Sequence, residues 1–271
     1  VLRQLDVKAS KPETRLFAPS VTIRYREASF TGTPLPKDEP MPANPRAGAY
    51  VDYLLAGTPR KPVELAIYDA NNTLVRRYST ADAPPKIDLA KIGSAPEWVR
   101  QPSMLSATPG MHRFVWPLRY ASPSSHGDAY ADGVWAAPGN YVLELIVDGK
   151  KYRQPLTVAP DPRVDLPASA YADQFALARR IEALQLRVDA ANRDAGELRT
   201  AIVARRQDAR GETAHALDAF AARLDALSGA QSAPNPYSSW SFPAQTIRTL
   251  SFLDHSLGAL MEAVDGADAA P

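Results

Sequence analysis

The side chains able to do chemistry in this chain are few and scattered. Four histidines occur, His112, His126, His215 and His255. A zinc site needs three or four convergent ligands, commonly with two histidines one helical turn apart. No two of these have that spacing, and each reads as a solvated or hydrogen-bonded structural histidine. The most polar cluster is His126-Gly127-Asp128 with Tyr130 and Asp132. Oxygen ligands on such a loop could hold a small hard cation, but the dense alternation of acids that marks a calcium loop is missing. An ordinary exposed loop is the simpler reading. There is no cysteine, which excludes disulfides, thiol catalysis and thiolate-held metal. Neither a nucleophile elbow nor a phosphate-cradling glycine loop is present. Paired carboxylates for glycoside cleavage must face each other roughly 5–9 Å apart, and the scattered Asp and Glu neither show nor exclude this. The sequence therefore assigns no catalytic residue, no metal ligand set and no cofactor.

Aromatic side chains carry more. Trp98, Tyr130, Trp135 and Trp240 fall in segments that read as loops, where rings can stack on sugars or on another domain. The competing reading is that they plug the edge of a sheet structure and cover its junction with helices. Trp116 sits in a strand pattern and reads as core.

The elements that position these residues are set off by proline. Of 25 prolines, 21 lie at or before Pro167 and none falls between Ala168 and Ala233. Proline lacks a backbone donor and breaks helix interiors, so strands and loops are expected first and long helix afterwards. Val1 to Pro19 reads as an extended lead-in. Strand patterns follow at Val21–Arg26, Ala49–Leu55, Val63–Tyr68, Leu74–Tyr78 and Met111–Tyr120, the last with Phe114 and Trp116 alternating. Asp69 to Thr73 forms a tight turn, because Asn and Asp tolerate left-handed backbone. Phe30–Pro45, Thr80–Pro109 and Ala121–Ala137 read as connectors. Tyr141, Leu143, Leu145 and Val147 alternate with Val142, Glu144 and Ile146, the period of a strand. Asp148-Gly149 is a two-residue hairpin turn, and Tyr152, Leu156 and Val158 return.

From Ala168 the period changes. Leu177, Ile181, Leu184, Val188, Ala191, Ala195, Leu198 and Ile202 form a heptad seam, with Pro167 in the first turn and Gly196 as a point of weakness. A second helix spans about Glu212 to Leu227, with Leu217, Phe220, Leu224 and Leu227 on one face, stopped at Gly229. A third begins near Pro243 and carries Ile247, Leu250, Leu257, Met261 and Val264. Burial of the seam against the two following helices is the simpler expectation, and pairing with another copy the alternative. Arg179, Arg180, Arg205, Arg206 and Arg210 read as a solvated outer face. The expected fold is α+β in separate parts: a lead-in over 1–20, an immunoglobulin- or fibronectin-like β-sandwich over 21–165, and an antiparallel three-helix bundle with a long first helix over 166–271. The formal net charge of +1 gives no electrostatic reason to expect nucleic acid or an anionic membrane as partner. No apolar run approaches the ~20 residues that cross a bilayer.

The ordered series NPRAGAYVDYLL, VELAIYDANNTLVRRY, GMHRFVWPLRY and APGNYVLELIVDGKKYRQPLTVAPDPR, followed by a long heptad helix, resembles the C-terminal region of bacterial sortilin-like, BNR-repeat β-propeller "glycosyl hydrolase" proteins. The strands VELAIYD and GMHRFVW are also similar to those of the immunoglobulin-like domain of flagellar hook-capping proteins. The first resemblance implies an accessory module following an N-terminal propeller of the same polypeptide, in a secreted or periplasmic setting. The opening VLRQL resembles the segment after the last propeller blade. Any hydrolase chemistry would lie in the propeller, so no catalytic residue is carried over. The readings that follow are a non-catalytic structural interaction module, a carbohydrate-binding module using Trp98, Tyr130, Trp135 and Trp240, or part of a glycoside hydrolase whose active site lies in the propeller.

Overall fold

The computed structural model describes residues 4, 13–26, 45–85, 101–123, 130–229 and 249–267. The chain is α+β, with ten strands and three helices among those residues: β1 Arg15–Leu16, β2 Thr22–Arg24, β3 Ala49–Leu55, β4 Glu64–Asp69, β5 Leu74–Ser79, β6 Gly110–Trp116, β7 Arg119–Ala121, β8 Asp132–Trp135, β9 Gly139–Val147, β10 Lys150–Pro160, α1 Ala168–Asp208, α2 Gly211–Ser228 and α3 Leu250–Gly266. Residues up to Phe175 form one compact unit and Ala176–Ala267 a second.

In the first unit the strands make a three-stranded sheet of order β1-β3-β6, a curled five-stranded sheet of order β2-β10-β9-β4-β5, and the hairpin β7-β8. Both larger sheets feed one buried cluster, in which Tyr53, Leu55 and Trp116 meet Leu65, Ile67, Tyr78, Leu143, Leu145 and Leu156. Burying a side chain of this size contributes ~1.5–3 kcal/mol. Ring pairs add directionality: Trp116 lies edge-on to Tyr141 at 5.4 Å, and Tyr78 touches Phe114 at 4.7 Å.

Local chemistry explains the turns. Asp148 and Gly149 take φ of 50° and 85°, the two positive values a type I′ bend requires, and Val147 pairs with Lys150 across it. The Asp148 carboxylate accepts from the backbone N–H groups of Arg60 and Lys61 at 2.8 and 2.9 Å. In the DANNT turn, Asp69 Oδ1 accepts from Asn71 and Thr73 N–H at 2.9 and 2.8 Å, and Asn72 is left-handed.

Several expectations change. The lead-in is not merely extended: Arg15–Leu16 pair with β3, and Leu16 and Phe17 are buried. The strand expected over Met111–Tyr120 breaks after Trp116, where Leu118 adopts φ 58°, and resumes as β7. The connector Ala121–Ala137 contains β8, paired with β7. Gly196 does not stop α1, which is helix over all 41 residues from Ala168 to Asp208.

The second unit holds the three helices α1, α2 and α3. Among the described residues a buried cluster joins Ala195 and Ile202 of α1 to Leu224 of α2, with Leu217 and Ala221 against it, and α3 touches α2. Arg206 pairs with Asp218 at 2.7 Å and Arg199 with Asp225. Seven residues forward in α1 thus match seven back in α2, which makes an antiparallel hairpin. Arg206 is exposed, as expected, and also bridges to α2 through Asp218. α2 ends at Gly229, whose φ of 74° and N–H to Asp225 O form a left-handed cap. α3 opens with Thr249 accepting from Phe252 N–H. Pro243 and Ile247, expected at its start, lie outside the described residues. No described helix is long and apolar enough to cross a membrane.

Candidate functional site

The expected aromatic platform is not a free surface where it is described. Tyr130 is buried in the sheet core, its ring 5.5 Å from that of Tyr78. Trp135, at the end of β8, is half-buried and packs against the same core. The Arg24 guanidinium lies over its ring, 4.0 Å from the centroid, and Arg119 sits 5.4 Å away. Trp98 and Trp240 lie outside the described residues, as do His126 and Asp128. Asp132, part of the polar cluster considered for a cation, holds a cation already: its carboxylate accepts from the Arg76 guanidinium at 2.5 Å.

Trp135 instead belongs to a cluster at the foot of α1. Arg24 reaches inward from the edge strand β2 and is 5% exposed. Its Nη2 donates to Gln174 Oε1 at 2.6 Å, and its guanidinium also lies 5.5 Å from the Tyr171 ring. Tyr171 and Gln174 are both buried, and Phe175 stacks at 5.2 Å on Tyr120 of β7. Arg119 donates to Gly133 O at 3.4 Å, and its own carbonyl accepts from the Trp116 indole N–H at 2.9 Å. One side of the first two turns of α1 thus meets a box of guanidinium groups and rings. Cation–π contacts of this kind are each worth ~1–2 kcal/mol once desolvated.

A second buried arginine ties an edge of the five-stranded sheet to the small hairpin. Arg76 of β5 points into the core, over the Tyr78 ring at 4.8 Å, and donates to Asp132, Ala131 O at 3.0 Å and Tyr120 O at 3.3 Å. A register irregularity between Ile67 and Tyr68 of β4 brings Val75 and Arg76 both to buried positions. Burial pushes the Tyr78 hydroxyl pKa up, against the lowering pull of the Arg76 charge. Burial likewise raises the Tyr53 and Tyr141 hydroxyls; they donate to Ser106 O and Ala137 O at 2.9 and 2.6 Å.

Two acids are also buried and paired. Asp52 of β3 accepts a two-pronged bond from Arg113 of β6 at 2.7 and 2.9 Å. This bond holds the Arg113 pKa above its usual value, against some desolvation. Glu144 of β9 is fully buried between Arg153 and Lys151 of β10, at 2.5 and 3.0 Å. Desolvation pushes its carboxyl up, but the hydrogen bonds and charges of the two cations outweigh this and leave it below the usual carboxylate value. Asp161, in the turn after β10, is lowered to about 2 by its bonds to the Arg163 side chain and N–H.

Among the remaining histidines, His112 bonds Thr108 O at 2.6 Å and its ring lies 5.2 Å from that of Tyr53. His215 and His255 stand on α2 and α3. Among the described residues, no group of three or more His, Asp or Glu side chains is arranged to hold a metal ion. In comparisons with known proteins, no family model, no curated protein and no solved structure matches this chain.

Sequence reasoning missed Arg24, Arg76 and Glu144. The signal for Glu144 was present, a charge in the middle of the hydrophobic run YVLELIV with basic residues across the hairpin in KKYR. Arg24 and Arg76 look like any strand arginine until their partners are known.

Proposed function

We propose that this chain is a non-catalytic accessory module, an immunoglobulin-like sandwich with a helical segment, that braces an N-terminal β-propeller of the same secreted or periplasmic polypeptide. The observation that carries the reading is how the buried polar side chains of the first unit are engaged. Arg24 joins β2 to α1, Arg76 joins β5 to the β7-β8 hairpin, Asp52 joins β3 to β6, and Glu144 joins β9 to β10. Each of these groups sits at a joint between elements of the fold, which suits a part that transmits load. The shared core of the two larger sheets supports the sandwich reading. The propeller and the extracytoplasmic setting come from the resemblance of the motif series.

Calorimetry tests this, comparing the chain alone with the same chain extended upstream into its native preceding region. Bracing requires the sheet unit to melt several degrees higher in the longer protein, because a bound partner stabilises the folded state. Independent transitions at unchanged temperatures would refute it. Glycan-array binding abolished by Trp135→Ala would favour the carbohydrate-binding reading instead, in which the ring must first release Arg24.

A further inference from the structure

The heptad seam of α1 divides into two halves with different fates. Ile181, Val188, Ala195 and Ile202, seven apart, are all buried. The interleaved row is not: Leu184 is 42% and Leu198 46% exposed, with the small Ala191 midway between them. A spacing of seven keeps this row on one flank of α1 over ~21 Å of helix. On α2 the same division holds. Leu224 is buried with Leu217 packed beside it, while Phe220 and Leu227, again seven apart, are 47% and 54% exposed. The Arg199–Asp225 and Arg206–Asp218 pairs fix the sense of the hairpin. With ~100° per residue, they lie on one flank, and Leu198, Phe220 and Leu227 lie together on the other. One flank of the hairpin is closed by ion pairs, and the opposite flank leaves Leu198, Phe220 and Leu227 open to solvent, with the exposed Arg205 next in the Leu198 row.

Charge identifies what fits there. Arg187 and Asp194, both exposed, each follow a residue of the open row by three positions and so border it on one side. In an antiparallel pair of helices, equivalent bordering positions face each other. A second copy of α1, running antiparallel about a two-fold axis at Ala191, sets Leu184 against Leu198 of the other copy. The same arrangement sets Arg187 of each copy beside Asp194 of the other. A parallel pair sets Arg187 near the neutral Asn192 and Asp194 near Arg199, whose guanidinium is already engaged by Asp225 of its own chain. Ala191 at the axis lets the two backbones approach.

We infer that the face of α1 formed by Leu184, Ala191 and Leu198, which runs on from the open flank of the α1-α2 hairpin, is a homodimer interface in which two copies of α1 pack antiparallel. Phe220 and Leu227 extend it, so the dimer is a four-helix assembly of two hairpins.

The chain has no cysteine, which makes the test direct. The Leu184→Cys and Leu198→Cys variants of the full chain are oxidised separately and as a mixture. Antiparallel pairing yields a disulfide dimer between the two variants in the mixture and little with either alone. Dimers from each variant alone would signify parallel pairing and overturn the inference. Light scattering on the unmodified chain across a concentration series must show a dimer, and a monomer throughout overturns it as well. Asp194→Arg should weaken dimerisation roughly tenfold, and adding Arg187→Asp should restore it. These sites are exposed, so folding survives, and failure of the double variant to recover would remove the charge argument.

Discussion

Replacing Glu144 with glutamine tests the account of the buried ion pairs most closely. Glu144 stands on β9 directly opposite Arg153 of β10, with Lys151 one pleat along the same strand. The carboxylate has no exposed surface, but its partners are 58% and 57% exposed. Water therefore screens both pairs, and each belongs in the range for exposed partners, ~0.5–1 kcal/mol. Together they contribute about 1–2 kcal/mol at neutral pH. Glutamine preserves shape and can still accept, while the two freed cations return to water. The folded carboxyl lies below its usual value, so its contribution is fully present above the unfolded carboxylate range. It is lost as pH falls through the lowered folded value. Urea unfolding followed by tryptophan fluorescence should show the Glu144→Gln variant about 1–2 kcal/mol less stable at pH 7. The gap should close on acidification, because protonated Glu144 then resembles the amide. Equal stability at neutral pH, or a gap that acid leaves untouched, would refute the reasoning.

Two further outcomes follow from the same structure. Gly48 has φ 127°, and a Cβ there would lie 2.2 Å from the Trp116 carbonyl oxygen. Gly48→Ala should therefore destabilise by more than ~3 kcal/mol, whereas Gly149→Ala, strained but facing open space, should cost only ~1 kcal/mol by thermal unfolding. Arg24→Met should lower stability by about 2 kcal/mol through loss of the bond to Gln174 and the stacking on Trp135. A loss under ~0.5 kcal/mol in the same assay would show that the foot of α1 does not depend on it.

Elements governed by near neighbours were legible from the chain. The β9-β10 hairpin with its Asp148-Gly149 turn, β3 at Ala49–Leu55 and the α2 cap at Gly229 all lie where the pattern puts them. Alternation put Tyr141, Leu143, Leu145 and Val147 on one face, and the structure turns that face inward. Loop and strand became confused where pairing came from afar, at Arg15–Leu16 and at β8. Two or four residues carry no usable period, and β3 and β7 supply their partners. For the same reason Tyr130 and Trp135 read as exposed loop rings. Their burial depends on Tyr78, 52 residues upstream of Tyr130, and on Arg24, more than a hundred upstream of Trp135.

The amino-acid order by itself determined the strand and helix periods, the turns, and the division into a proline-rich β half and a proline-poor α half, because these rest on backbone preferences acting over a few residues. Tertiary structure alone decided that Arg24 and Arg76 go inward, and that part of one regular heptad seam is covered while the rest faces water. Those outcomes depend on which distant side chain arrives alongside, and a period of seven is the same whether or not a partner comes.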